Sequence, residues 1–246
     1  MDRDFVVSQF TRYVHGFDQR EEGVRLKYAH SLRVSSLCEQ IAGSLGLSQD
    51  EADLAWLIGV LHDIGRFEQL REYHTFVDYR SMDHAKYGAH YLFDDGHIRD
   101  FLDDGRLDDV IRMAIDQHNV YQLREDLTPR QRLFCQLIRD ADKIDIFRVY
   151  VLYMSQKKNI WNVDWADFEN QPISDSVMAQ AARGSWCGRR IRRLSWIFMS
   201  VLCVCTSIWS IPGAVSWHGN KAILISSSIS TPEMSIVRKN WMKSAA

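Results

Sequence analysis

Residues 181–246 contain one acidic side chain, Glu233, against nine lysines and arginines, a net charge of +8. Residues 1–180 hold the other 31 of the 32 acidic residues and 21 of the 30 basic ones, a net charge of −10. The overall charge of −2 therefore adds two stretches of opposite character. The first lacks the basic surplus that a phosphate backbone requires, which argues against nucleic acid as a partner. The five cysteines (38, 135, 187, 203, 205) form no CxxC pair and no disulfide-like spacing. Cys38 and Cys135 fall inside helical patterns and read as small core residues. The start, Met1-Asp-Arg-Asp-Phe5, has no apolar run, so no signal peptide is expected and a reducing cytoplasm is the expected compartment. Internal repeats and low-complexity segments are absent, and no useful strand alternation precedes residue 180. With 246 residues, 46% hydrophobic and 25% charged, the chain suits one or two globular domains and excludes collagen-like, coiled-coil and fully disordered classes.

What is present is helical periodicity. Leu26, Ala29, Val34, Leu37, Ile41 and Leu45 recur at helical spacing, and Gly46 is a natural stop. Ser48-Gln-Asp-Glu51 has the form of a capping box and opens a helix over roughly 49–63 that is apolar on most sides. Residues 64–82 mix aromatic and charged side chains without a clean period and read as a loop. Further helices are expected from about Asp83, from about Arg106 (Leu107, Ile111 and Ala114 on one face) and after Thr128-Pro129, where a cap precedes a proline at the first helical position. The expected class is all-α.

Histidines and aspartates occur on these apolar faces. His30 shares a face with Leu26, Val34, Leu37 and Ile41. His62-Asp63 ends the most apolar helix. His118 follows Ala114 by four residues and Ile111 by seven. Asp142 follows Ile138 by four and Cys135 by seven. Burying ionisable groups is costly unless they are paired or metal-bound, and imidazole with carboxylate suits Mn, Fe, Zn, Ni or Mg ions. Distant helices can converge such groups on one centre. His90 lies six residues after His84, about 120° round an ideal helix, and is expected to point elsewhere. His15, His74 and His97 read as surface or loop residues, and Asp140 and Asp145 as flanking or outer groups. Tyr73, Phe76, Tyr79 and Arg80 are either a substrate mouth or an ordinary aromatic surface loop.

This pattern resembles the HD-domain superfamily of metal-dependent phosphohydrolases, over about residues 24–150. The resemblance rests on His30, His62-Asp63 in Leu61-His-Asp-Ile-Gly-Arg66, His84 in Asp83-His-Ala-Lys-Tyr-Gly-Ala89, His118, and Asp142 in Arg139-Asp-Ala-Asp-Lys-Ile-Asp145. It implies a helical bundle with a metal site between core helices. His30, His62, Asp63 and Asp142 would bind a first divalent ion, and Asp63 would bridge to a second held by His84 and His118. The implied reaction is attack of metal-acidified water on a phosphate ester, a nucleotide or related small molecule. Family members often carry lysine where Arg66 stands, and arginine can grip a phosphate with two hydrogen bonds. Asn119 replaces a second histidine found in some members. Glu68 loosely matches a glutamate of some nucleotidases. A di-iron oxygenase and a non-catalytic nucleotide-binding regulatory module of the same family are the rival readings.

Residues 181–246 form a separate unit in this reading, with five of the eight tryptophans and an uncharged run at 194–215. A membrane segment and an unusual native tail are two explanations. Translation out of frame is the favoured one, and a membrane partner is not expected. A one-base shift turns Trp196-Ile197 into Asp, Trp217-His218 into Ala, and Asn240-Trp241-Met242-Lys243 into Leu-Asp-Glu. Elsewhere it permits an acidic helical sequence like residues 1–180.

Overall fold

The computed structural model describes residues 1–155, 215–218 and 221–224. Two compact units are distinguished: Met1–Ile146 with Asn159–Glu169, and Phe147–Lys158 with Asn170–Ala246. The boundary expected near residue 180, the uncharged run and the out-of-frame reading fall largely outside the described residues. Within the second unit, Val215–His218 pairs antiparallel with Lys221–Leu224. No helix among the described residues is long and apolar enough to cross a membrane.

Among the described residues, Met1–Ile146 is all-α, as expected, and its last helix runs on to Ser155. Helix α1 spans Arg3–Val14, α2 Glu22–Ser44, α3 Gln49–Leu61, α4 Gly65–Tyr73, α5 His84–Ala89, α6 Asp108–Asp116 and α7 Pro129–Ser155. Several ends follow their sequence signals. Gly46 has φ +69°, the left-handed conformation that glycine adopts freely, and ends α2. The Ser48 hydroxyl accepts from the Glu51 amide at the start of α3. Thr128 Oγ1 accepts from the Gln131 amide while Gln131 Oε1 accepts from Thr128 N, a reciprocal cap at the start of α7. Asp83 caps α5, and Asp108 and Asp109 lie in the first turn of α6, where negative charge is favourable.

Two expectations are corrected. Residues 64–82 are not all loop, since Gly65–Tyr73 is helix. Its buried face combines Gly65, Phe67, Gln69 and Leu70, so a buried glutamine and a glycine break the apolar stripe that periodicity detects. Gln69 is tolerated because its amide nitrogen donates to Asp78, Ser81 and the Met82 carbonyl. In α2, Leu26, Leu37 and Ile41 are only partly buried. The deepest face is Val24, His30, Ser31, Val34, Ser35, Cys38 and Ala42. Small residues lie there because α3 approaches closely: a Cβ on Gly59 would come within 2.5 Å of Ser35 Cα. Cys38 and Cys135 are buried and free, as expected for core residues.

A second close crossing positions the chemistry. A Cβ on Gly65 would come within 2.3 Å of the His84 carbonyl oxygen and 3.0 Å of Gly88 N. The start of α4 and the start of α5 thus meet backbone to backbone. The glycine after His62-Asp63-Ile64 is what lets His84 approach Asp63.

Candidate metal centre

Five segments supply the centre. His30 comes from α2, His62 and Asp63 from the end of α3, His84 from the first residue of α5, His118 from just beyond α6, and Asp142 from α7. All six are buried. Their inward atoms converge on the two oxygens of Asp63. Oδ2 lies 3.5 Å from His30 Nε2 and 3.4 Å from His62 Nε2. Oδ1 lies 3.3 Å from His84 Nε2 and 3.5 Å from His118 Nε2. Asp142 Oδ1 completes the first set, 3.1 Å from His30 Nε2 and 3.6 Å from His62 Nε2. Two groups result, His30-His62-Asp63-Asp142 and Asp63-His84-His118, each with ligand atoms within 4.8 Å of one another.

The backs of the rings decide which nitrogen faces inward. His62 Nδ1 donates to the Gly59 carbonyl at 2.8 Å, and His118 Nδ1 to the Ile115 carbonyl at 2.7 Å. His30 Nδ1 donates to Asp145 Oδ2 at 2.7 Å, and His84 Nδ1 to Asp78 Oδ2 at 2.8 Å. With Nδ1 protonated and occupied, each ring in its neutral form would present an Nε2 lone pair to the centre. This is the arrangement of a metal-ligating histidine held by an outer acceptor.

The donor set fits a cation in two further respects. His62 Nε2 is fully buried and has no hydrogen-bond partner among the described residues. His84 Nε2 and His118 Nε2 face each other at 3.0 Å. Two imidazoles in this tautomer would oppose lone pair to lone pair, and only a proton or a metal ion between them relieves that repulsion. Burial holds His118 down at about 4, so the proton is poorly held there at neutral pH.

Residues 28–146 match the family model for the HD domain. The chain contains an HD domain. HD domains are typical of a superfamily of metal-dependent phosphohydrolases, and the buried His/Asp groups of this one are able to hold a divalent metal. No curated protein and no solved structure matches the chain.

Within the HD domain, electrostatics follow from the crowding of charge. Burial opposes ionisation of Asp63, but Lys27 and the surrounding histidines outweigh it and hold the carboxyl well below its usual range. Asp142 is likewise held low, by His30 and His62 against burial. Burial lowers His62, yet Asp63 and Asp142 raise it more, to about 9.

Asp145 is an outer group, accepting from His30 and from Arg33 Nε at 2.7 Å. Asp140 is buried, its Oδ2 lacks a partner among the described residues, and burial raises its carboxyl to about 7. His90 points elsewhere, donating to Asp94. His15 and His74 are exposed, while His97 stacks on Tyr91 and donates to Asp100. Glu68 is paired with Arg71 and takes no part in either group. Arg66 lies beside the centre, but its Nη1 is committed to Gln69 Oε1, the Phe76 carbonyl and Asp78 Oδ1, each at 2.7 Å. Its Nε is buried without a hydrogen-bond partner among the described residues and lies 3.7 Å from Asp63 Oδ1.

Three contributors escaped the sequence reading. Asp78, in an irregular segment with no period to place it, joins His84, Arg66, Gln69 and Asn119. Arg139 donates to the Val120 and Tyr121 carbonyls and so fastens the segment that carries His118. Lys27 reaches Asp63 Oδ2 at 2.5 Å. Its position three residues before His30, on the same helix face, was the available signal.

Proposed function

We propose that the HD domain is a phosphohydrolase that uses one or two divalent ions (Mn, Mg, Fe, Ni or Zn class) to hydrolyse a small-molecule phosphate ester. The observation that carries this reading is the single carboxylate of Asp63, whose two oxygens serve two separate histidine groups. His30, His62, Asp63 and Asp142 would hold the first ion, and Asp63, His84 and His118 the second. A bound divalent ion supplies acidified water at neutral pH and a Lewis acid for phosphoryl oxygens. The chain does the positioning. Gly59 O, Ile115 O, Asp145 and Asp78 lock the four rings, which keeps the inward nitrogens at their posts. Arg66 places positive charge beside Asp63, its Nε 3.7 Å from Oδ1. In the reaction the water oxygen bonds to phosphorus, the ester P–O bond breaks, and a proton passes to the leaving oxygen.

The test is metal analysis of the purified protein followed by a phosphate-release screen across nucleotides and simple esters. Asp63→Ala is expected to abolish metal retention and phosphate release together. Unchanged turnover in Asp63→Ala overturns the mechanism. Oxygen consumption without phosphate release would assign the centre to a di-iron oxygenase. Nucleotide binding with neither activity would assign it to a regulatory module.

A further inference from the structure

Lys27 is a cation held against a carboxylate that the ions would claim. Its Nζ lies 2.5 Å from Asp63 Oδ2, the oxygen that also faces His30 and His62. Its side chain is 14% exposed while that of Asp63 is 3% exposed, so Lys27 approaches the centre from the outer edge. The same Nζ lies over the Phe76 ring at 5.6 Å, and the Arg66 guanidinium lies over that ring at 5.9 Å. Phe76 therefore has two cations beside it, one near each oxygen of Asp63. The ring offers them only a weak attraction. The neighbouring carboxylates are already assigned: Asp78 is paired with Arg66, and Asp145 with Arg33.

Formal charge then selects the substrate. Two divalent ions bring four positive charges. Asp63 and Asp142 cancel two, and Lys27, displaced from Asp63 Oδ2, adds one. The Arg66–Asp78 and Arg33–Asp145 pairs cancel internally. With both ions bound, and with the adjacent buried Arg139 and Asp140 set against each other, the centre would carry a surplus of three positive charges at its buried end. A phosphomonoester dianion with hydroxide as the nucleophile neutralises all three, whereas a phosphodiester monoanion with hydroxide leaves one uncompensated in a region of low dielectric.

We propose that Lys27 is a substrate-binding residue that leaves Asp63 when the ions bind and pairs with a phosphoryl oxygen, and that the substrate class is a phosphomonoester dianion. This rests on the phosphohydrolase reading and names its substrate class. A lysine at this place acts as a point charge on the phosphoryl group, the role that charge-assisted hydrogen bonds serve well.

The experiment is calorimetric and needs no turnover. Inorganic phosphate and dimethyl phosphate are titrated into the full-length protein loaded with Mn2+, and Mn2+ is titrated into the metal-free protein. The wild type is expected to bind phosphate at least about tenfold more tightly than dimethyl phosphate. Lys27→Gln is expected to weaken phosphate binding by about tenfold or more, while Mn2+ affinity stays level or rises because a competing cation has gone. Lys27→Arg keeps the charge and is expected to recover most of the phosphate affinity. Unchanged phosphate affinity in Lys27→Gln overturns the assignment. So does joint loss of Mn2+ and phosphate that Lys27→Arg repairs only for Mn2+, which would make Lys27 a structural partner of Asp63. A wild type that hydrolyses bis(p-nitrophenyl) phosphate faster than p-nitrophenyl phosphate refutes the monoester class but leaves the hydrolase standing. A wild type that binds Mn2+ and phosphate but cleaves neither ester refutes the hydrolase reading while the Lys27 measurement still stands.

Discussion

At the scale of single residues, the centre depends on what lies behind each ligand. Asp145→Asn keeps an acceptor for His30 Nδ1 and removes the charge shared with Arg33. The expected result is metal affinity about ten- to a hundredfold lower, read by Mn2+ titration, with the fold intact by circular dichroism. Protons compete for the same site. His62, raised to about 9 by Asp63 and Asp142 in the metal-free protein, is mostly protonated at neutral pH. A cation must displace that proton, and His30 of the same group, lowered by burial and Lys27, is raised more by Asp142, Asp145 and Asp63, so affinity at the first group is expected to fall at least about tenfold for each pH unit below 9. Mn2+ titrations at about pH 7 and pH 8, in buffers of different ionisation enthalpy, measure both the slope and the proton released. His118, held at about 4, adds no such competition at neutral pH. His30, His62-Asp63, His118 and Asp142 were legible because they fall on or end apolar helical patterns, an arrangement that burial alone makes expensive; His84 was legible only through the family pattern. Asp78 and Arg139 were not, because their roles depend on where irregular segments return in space, which spacing does not encode.

At the scale of elements, the decisive contacts are helix crossings made by small residues. Gly65→Ala would force a Cβ to within 2.3 Å of the His84 carbonyl oxygen, a backbone atom that has no rotamer to escape into. The expected cost is about 1–3 kcal/mol in urea unfolding. Displacement of α5 should also remove the second metal equivalent while leaving the first, a split that metal stoichiometry reads directly. Helix ends were legible where a side chain acts on its own backbone, as with Ser48, Asp83 and Thr128. Helix α4 was hidden because its buried face includes Gln69, whose partners Asp78, Ser81 and Met82 lie in the segment that follows. The α2 stripe was displaced for a related reason: periodicity weights large apolar residues, while close approach to α3 is made by Ser35 and Cys38 facing Gly59.

At the scale of the whole molecule, buried histidines and carboxylates link folding to cation supply. A chelator is expected to lower the melting temperature of the metal-loaded protein, and added Mn2+ to restore it. At a free ion concentration about a thousand times Kd the gain is about 4 kcal/mol. That corresponds to roughly 10 °C for a domain of this size, and differential scanning fluorimetry measures it. The charge asymmetry carries its own test. If residues 181–246 are read out of frame, the gene's alternative frame runs through that stretch without a stop codon and encodes an acidic helical continuation. A stop codon there ends that reading.

One feature of the centre bears on the making of the protein. His30 meets Asp142 across 112 residues of chain. On a ribosome that adds roughly 5–20 residues per second, the interval between them is roughly 6–22 s. During that time His30, His62 and Asp63 exist without the helix that completes their set. No growing chain shorter than this can form the first group. A cation that needs all four ligands of the first group would therefore be captured only after α7 has left the exit tunnel, whereas Asp63, His84 and His118 are all present earlier.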